Sequence, residues 1–233
     1  MDRTGEIWHG IEIIAYRKSI DIDIKFPDGT VLYNVDYGNL KNKSIKNPFK
    51  PRICDIGYIG TGIYNYADNL TAYRTWEGML RRCYNEKHQN NFPSYKGCSV
   101  VKEWHNFQVF AEWFYKNYKD DFQLDKDLTI IENKVYGPEY CSFIPQDLNK
   151  MLTGKRNSDS TTPTGVYPCK NKFKASVHNG LKRVYLGSFE NETDAFNSYK
   201  IAKESYVKEQ ANRYRNEISE VIYQNLMNYI VKP

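Results

Sequence analysis

The chain has 233 residues, of which 40% are hydrophobic, 15% aromatic and 26% charged. That balance is typical of a globular protein, because disordered chains have few aromatic residues. At roughly 150 residues per domain, the length predicts one large domain or two to three small ones. No apolar run approaches the roughly 18 residues of a membrane span, and no signal-peptide core follows Met1. We therefore expect a soluble, cytoplasmic protein with no membrane partner.

The five cysteines include no CxxC pair. Zinc ribbons and thioredoxin-like motifs need that spacing, so both are excluded. An odd number of cysteines in a chain of this length is typical of reduced, buried thiols. A structural zinc ion held by Cys83, Cys98 and Cys141 stays open as the less favoured alternative.

The net charge of +5 is unevenly distributed. Residues 1–154 are nearly balanced, whereas residues 155–233 carry 13 basic and 8 acidic side chains. A second basic segment has no acid between Asp36 and Asp55. Its cations are Lys41, Lys43, Lys46, Lys50 and Arg52. Two basic surfaces favour a polyanionic partner, most simply double-stranded DNA, over two solvated lysine-rich loops.

The first predicted element in the chain is β-structure over residues 11–35. Within it, apolar residues alternate with polar ones, which is the period of a strand with one buried face. The apolar members of this pattern are Ile20, Ile22, Ile24 and Phe26. The sequence therefore predicts a small N-terminal β module that, with the basic loop after it, occupies residues 1–66.

The central region, residues 67–152, is predicted to be helical with a strand–loop–strand–helix unit at its end. Aromatic and aliphatic residues at helical spacing predict the first helices, and Pro145 permits a later helix to start. The predicted elements are helices over 71–86 and 106–118, strands over 124–131 and 140–144, and a helix over 146–152. The polar segment 153–164 predicts a linker and a domain boundary.

The C-terminal domain, residues 165–233, has the clearest pattern. Strands over 172–178 and 181–187 are joined by Asn179-Gly180, which favours a two-residue hairpin turn that pairs His178 with Leu181. Alternation turns the apolar residues Phe173, Ala175, Val177, Val184 and Leu186 toward a core. The opposite face holds Lys172, Lys174, Ser176, His178, Arg183 and Tyr185. A helix follows with Asn191 or Thr193 as its N-cap, and a final helix covers about 215–230. Packing of the first helix on the apolar face leaves the polar face open for DNA.

Residues 165–206 resemble the AP2 domain. The resemblance is carried by Gly165-Val166-Tyr167, Phe173-Lys174-Ala175, Tyr185-Leu186-Gly187-Ser188-Phe189, Glu192-Thr193-Asp194-Ala195 and Tyr199. It implies a three-stranded sheet that lies in the DNA major groove, with a helix packed behind it. The polar face assigned by alternation is the face that this family uses.

Residues 72–152 resemble phage-type HNH homing endonucleases, which often carry an AP2 domain. The matching segments are Arg74-Thr75-Trp76-Glu77-Gly78-Met79, Arg82-Cys83-Tyr84-Asn85, Tyr95-Lys96-Gly97-Cys98, Glu103-Trp104, Phe107, Phe110, Trp113 and Tyr136-Gly137-Pro138-Glu139-Tyr140-Cys141. The resemblance implies a ββα metal finger of the His-Me type over about 122–152. The expected fold class is therefore α+β: a β module, a helical region with the ββα unit, and an AP2-like sheet plus helix.

In such a finger, the first strand ends with a metal ligand beside a general-base histidine, and the helix supplies a second ligand. The resemblance implies that Asp125 and Asn149 bind Mg²⁺ and that Asn133 tethers the loop. The base position holds Lys126, and lysine side chains are ordinarily protonated at neutral pH. Loss of a general base typically costs about 10²–10⁴ in rate, so we expect weak or absent DNA cleavage.

Three functions are open at this point. The first is a site-specific DNA endonuclease that uses the AP2-like domain to find its target. The second is a DNA-binding protein whose finger no longer cuts. The third is a phage effector that binds a host protein, such as a defence component, through the aromatic-rich middle of the chain. Lys126 discriminates between the first two, and the third would be favoured if both basic surfaces were covered.

Overall fold

A computed structural model describes residues 2–152 and 162–232 and has an α+β fold with several small sheets. By its internal contacts the chain divides into two compact units. The first unit comprises Met1–His88 and Lys102–Glu112. The second comprises Gln89–Val101 and Trp113–Pro233. Within the described residues, no helix is both long and apolar enough to cross a membrane.

The first unit begins with a four-stranded antiparallel sheet in the order β1-β2-β3-β4. Its strands are Ile7–Trp8, Ile11–Lys18, Asp21–Lys25 and Val31–Val35, and α1 follows at Tyr37–Lys41. The core consists of Ile11, Ile13, Ile22, Ile24, Phe26 and Leu40. The predicted strands are confirmed, but Ile20 was wrongly assigned to the buried face. It lies in the β2–β3 turn and is 62% exposed.

The central region is mainly helical, and several of its aromatic side chains are buried. Its helices are α2 (Leu70–Tyr84), α3 (Glu86–Asn91), α4 (Phe107–Asn117), and two 3-10 helices at Pro93–Tyr95 and Lys102–His105. Trp76, Trp104, Phe107 and Phe110 are fully buried in the first unit, and the Trp76 indole donates to the Trp104 carbonyl at 2.7 Å. The two predicted long helices are confirmed. The predicted first helix ends early, at Tyr84, because Asn85 is extended and α3 begins anew after it.

The second unit contains the ββα segment, residues 122–152. It consists of β6 (Phe122–Asp125), β8 (Ser142–Pro145), which pairs antiparallel with β6, and α5 (Gln146–Leu152). Two short strands, β5 (Ser99–Val100) and β7 (Val135–Tyr136), pair in parallel beside it. The predicted strand over 124–131 was wrong beyond Asp125. The Asp125 carboxylate accepts hydrogen bonds from the N–H groups of Asp127 and Leu128, both at 2.8 Å. These bonds form a turn that ends the strand.

The C-terminal sheet is antiparallel, in the order β11-β10-β9, and packs on one long helix. Its elements are β9 (Val166–Cys169), β10 (Lys172–His178), β11 (Arg183–Phe189), α6 (Glu192–Arg213) and α7 (Glu220–Met227). The Asn191 side chain caps α6, as one of the two predicted caps. The final helix is shorter than the predicted 215–230, because Ser219 caps α7 at its N-terminus and Asn228 ends it.

The β10–β11 hairpin differs from its predicted register. His178 pairs with Arg183, not with Leu181, and residues 179–182 form a four-residue loop. The Asn179 side-chain oxygen accepts the N–H groups of Leu181 and Lys182, which holds this wider loop. The pairing is shifted by two residues over residues 176–178, and a β-bulge between Ala175 and Ser176 shifts it by one more. The apolar residues nevertheless stay on their predicted face, because Phe173, Val184 and Leu186 still pack against the core.

The ββα segment and the C-terminal helices share one hydrophobic core. Its fully buried members include Ile144 and Leu148 of the segment, Val207 of α6 and Leu226 of α7. The Tyr214 hydroxyl also donates to the Asp147 carboxylate at 2.7 Å. Of the predicted linker 153–164, residues 153–161 lie outside the described part of the chain. The segments before and after them belong to the same compact unit.

Candidate nucleic-acid interface and metal site

All of the predicted DNA-binding residues of the C-terminal sheet lie on the side that faces away from its core. We call this side the sheet face. Its members are Lys172, Lys174, Ser176, His178, Arg183 and Tyr185. All of them are exposed except Ser176, which is half-buried. The pairs Ser176–Tyr185 and His178–Arg183 lie opposite each other on neighbouring strands, so the polar side chains form a continuous strip.

The opposite side of the sheet packs closely on α6, and this packing supports the sheet face. Ala175, Val177, Ala195 and Tyr199 are buried between the sheet and α6. Gly165 has φ of +83°, and a Cβ there would lie 2.1 Å from the Tyr199 ring. Only glycine fits so close an approach, and it brings β9 onto the helix.

Sequence reasoning did not include Tyr167 among the site residues. Tyr167 lies on β9 opposite Lys174, and it is exposed. The Arg183 guanidinium lies 5.4 Å from the centre of the Tyr167 ring, which is cation–π distance. The strip of side chains on the sheet face therefore extends across all three strands. The motif Gly165-Val166-Tyr167 was visible in the sequence, but the register of β9 was not.

The charges of the sheet face are not equally available. Lys172 Nζ lies 2.5 Å from the Glu190 carboxylate, and this hydrogen bond raises the pKa of Lys172. The pair is well exposed, so it is a weak interaction that water and salt screen. The Gly180 N–H donates to Nδ1 of His178 at 3.1 Å, so a neutral His178 ring carries its proton on Nε2. In that form, Nε2–H is the ring group that can donate to a ligand.

The second predicted basic cluster belongs to the first unit. We call residues 41–52 the basic loop. All five of its cations are exposed, namely Lys41, Lys43, Lys46, Lys50 and Arg52. Since the basic loop and the sheet face belong to different units, each is described as a separate surface.

The predicted metal ligands lie on the ββα segment. Gln123 and Asp125 alternate along β6 and so share one face, and Asn149 of α5 donates from Nδ2 to the Gln123 side-chain oxygen at 2.8 Å. Asp125 is half-buried, and this burial raises the pKa of its carboxyl above the usual value. Its two backbone hydrogen bonds act in the opposite direction.

Lys126 is turned into the loop that follows β6. The residue is only 5% exposed, and Nζ donates to the Asp127 carboxylate and to the Asn133 carbonyl, the latter at 2.8 Å. Asn133 donates in return to the carbonyls of Lys126 at 2.9 Å and Val135 at 2.6 Å, and accepts the Val135 N–H. Both residues therefore fix the loop, and the Lys126 ammonium is already committed to protein acceptors.

The predicted ligands, Asp125 and Asn149, carry oxygen atoms, the donor type that Mg²⁺ prefers over the sulfur and nitrogen donors typical of zinc. Mg²⁺ takes hard oxygen ligands, often one or two carboxylates, and keeps several waters. Asp125 offers a carboxylate and Asn149 an amide oxygen. Among residues 2–152 and 162–232, no group of three or more His, Cys, Asp or Glu residues is placed to hold a metal. The three cysteines of the zinc alternative, Cys83, Cys98 and Cys141, are buried and form no disulfide bond.

Comparisons of the chain with protein-family models, curated proteins and solved structures find no match. The resemblances to the AP2 domain and to HNH endonucleases therefore stay predictions.

Proposed function

We propose that this protein binds double-stranded DNA through the sheet face, as an AP2-like module, and that it cleaves DNA weakly or not at all. The observation that carries the proposal is the exposed, cationic strip on a three-stranded sheet whose other side is packed on α6. The major groove is about 12 Å wide and admits a β-ribbon. A rigid sheet with its polar side chains on one face is suited to enter it.

The sheet face provides both kinds of DNA contact. Lys172 and Lys174 are point charges that suit phosphate oxygens and give no sequence information. Arg183 has the fork geometry that binds the O6 and N7 atoms of guanine, and its packing on Tyr167 limits the rotamer entropy lost on binding. Arg183 is therefore the residue proposed to read sequence.

The ββα segment supports weak or absent cleavage. Asp125 and Asn149 are proposed to hold Mg²⁺, which would polarise a phosphate and stabilise a leaving oxygen. Lys126, at the base position, donates its protons to Asp127 and Asn133. A lysine ammonium group, which has three N–H donors and no lone pair, cannot accept a proton from water.

The alternative of a host-protein partner has less support. It rested on the aromatic-rich middle of the chain, and Trp76, Phe107, Phe110 and Phe114 of that region are fully buried. These four side chains are buried and so offer no contact surface. The sheet face, by contrast, is exposed.

The test is a titration of labelled duplex DNA with the full chain at several salt concentrations. The two phosphate contacts assigned to Lys172 and Lys174 predict a slope of log K against log[salt] of about −2, at about 0.9 per phosphate. Arg183→Ala should weaken binding and relax sequence preference, whereas Lys174→Ala should weaken all duplexes alike. Lys208→Ala is the matched control, because Lys208 is an exposed lysine of the same unit that lies on α6 and not on the sheet face.

Two results would sink the duplex proposal: salt-independent affinity, or equal affinity of Arg183→Ala, Lys174→Ala and Lys208→Ala. The same proteins, incubated with supercoiled plasmid and Mg²⁺, test the finger. Any nicking should disappear in Asp125→Ala. Nicking that is fast and survives in Asp125→Ala would show that the metal assignment is wrong.

A further inference from the structure

The basic loop presents an aromatic ring to solvent among its cations. Phe49 is 43% exposed. Its ring is paired with that of Tyr58 in a tilted arrangement, with the ring centres 6.0 Å apart and the planes inclined by 47°. Lys46, Lys50 and Arg52, which precede and follow it closely in the chain, are all exposed.

The backbone on either side of Phe49 is held by hydrogen bonds, several of them made by the buried side chain of Asn47. Asn47 is only 8% exposed. Its Nδ2 donates to the Asp28 carboxylate at 2.5 Å and to Thr30 Oγ1 at 3.2 Å. Its Oδ1 accepts the Phe49 N–H at 2.9 Å. Pro48 precedes the ring directly, and its carbonyl accepts the Gly60 N–H at 2.9 Å. The backbone that carries the ring is therefore held in place before any ligand arrives.

A single exposed aromatic side chain is ordinary on a protein surface. Here, however, the ring is combined with neighbouring cations and with a stretch, residues 37–54, that contains no acid. Aromatic rings that stack on bases, together with cations that follow the phosphates, are the chemistry of unpaired nucleic acid. In a duplex, neighbouring pairs cover the faces of each base, so a ring has no face to stack on.

We propose that residues 46–52 form a binding site for an unpaired nucleic-acid strand, with a base stacked on Phe49 and phosphates held by Lys46, Lys50 and Arg52. The ligand differs from the duplex assigned to the sheet face, and the site lies in the other unit. An anionic membrane is the less suitable partner, because membrane-surface binding requires a broad apolar face and one ring gives little.

The test is a fluorescence-anisotropy titration of the full chain with labelled (dT)12 and (rU)12 at low salt. Phe49→Ala should weaken binding by about 5- to 150-fold, the range expected for the loss of one stacked base. Phe49→Trp should retain the affinity, and its new indole should be quenched by the bound strand. Tyr33→Ala is the matched control, because Tyr33 is a 68% exposed ring on β4 in the same unit; it should bind like wild type. The two oligonucleotides distinguish a DNA from an RNA ligand.

The proposal is overturned if Phe49→Ala binds both oligonucleotides as tightly as wild type, since the site would then be electrostatic alone. It is also overturned if phosphatidylserine vesicles bind and neither oligonucleotide does. Failure here is separate from failure of the duplex proposal, because the latter is judged on Arg183→Ala and duplex DNA.

Discussion

Lys126 is a buried cation whose bonds hold the loop after β6 together. A substitution that removes the Lys126 ammonium group leaves the Asn133 carbonyl without this hydrogen-bond donor in the folded protein. Unsatisfied buried polar groups cost about 1–3 kcal/mol each. We therefore expect Lys126→Met, which keeps the apolar stem, to lower the free energy of unfolding by about that amount in a urea titration.

Lys134→Met is the matched control for this prediction. Lys134 also donates to a backbone carbonyl, that of Ser94 at 2.8 Å, but it is exposed, so water replaces the lost bond. Surface changes of this kind usually cost under about 0.5 kcal/mol. Equal losses in the two variants would show that Lys126 does not hold the loop.

Residue roles were predictable from the sequence where they followed from strand alternation. Lys174 and Arg183 needed only a period of two to be placed on the open face. The partners of Lys126 were not predictable, because they depend on the path of a loop without regular structure. Tyr167 was missed for a related reason: its contact with Arg183 crosses three strands and requires the register of β9.

At the scale of elements, one row of buried residues along α6 contributes to two hydrophobic cores. Ala195 and Tyr199 pack on the sheet, whereas Val207 and Ala211 pack on α5 and α7. Lys203 lies between these two pairs at the same spacing of four residues. It is 5% exposed, and Nζ donates to the Met151 carbonyl in the last turn of α5.

Burial lowers the pKa of Lys203 to about 8, from an ordinary value of 10.5. Between these two values the unfolded chain binds more protons than the folded chain, so the stability contributed by this residue rises with pH. We expect wild type to gain on the order of 3 kcal/mol relative to Lys203→Met between pH 7.5 and 10.5. The measurement is urea denaturation at both pH values.

The tyrosines and cysteines also titrate in this pH range, but they are the same in wild type and Lys203→Met. Their contribution therefore cancels in the difference between the two free energies of unfolding. Lys208→Met, an exposed lysine of the same helix, should follow wild type at both pH values. A difference between wild type and Lys203→Met that does not change with pH would contradict the prediction.

Element positions were mostly predictable, and the exceptions have local causes. The helix over 146–152 agrees with its prediction, because Pro145 and the apolar spacing both indicate it. The strand expected to reach residue 131 ends at Asp125, where a side chain competes for backbone N–H groups. The four-residue loop at Asn179 replaces a two-residue turn for the same reason.

At the scale of the molecule, the sheet face and the ββα segment belong to one compact unit. The helices α5, α6 and α7 share a core, and Tyr206 and Tyr229 pack against both this core and that of the sheet. The β10–β11 loop also lies close to α5: a Cβ at Gly180 would be 3.7 Å from the Asp147 carbonyl oxygen. A duplex on the sheet face would therefore lie at a fixed position relative to Asp125.

This arrangement predicts that the ββα segment and the C-terminal sheet unfold together. Leu226 of α7 is fully buried in the shared core, and Leu→Ala changes at such sites cost about 2–5 kcal/mol. By native-state hydrogen exchange, Leu226→Ala should lower protection in β6 and β8 and in β9–β11 to a similar extent, while β1–β4 keep theirs. Ile24→Ala, in the core of the first sheet, should give the opposite pattern. Loss of protection in β6 and β8 alone would show that the ββα segment opens independently, and a duplex bound at the sheet face would then have no fixed relation to Asp125.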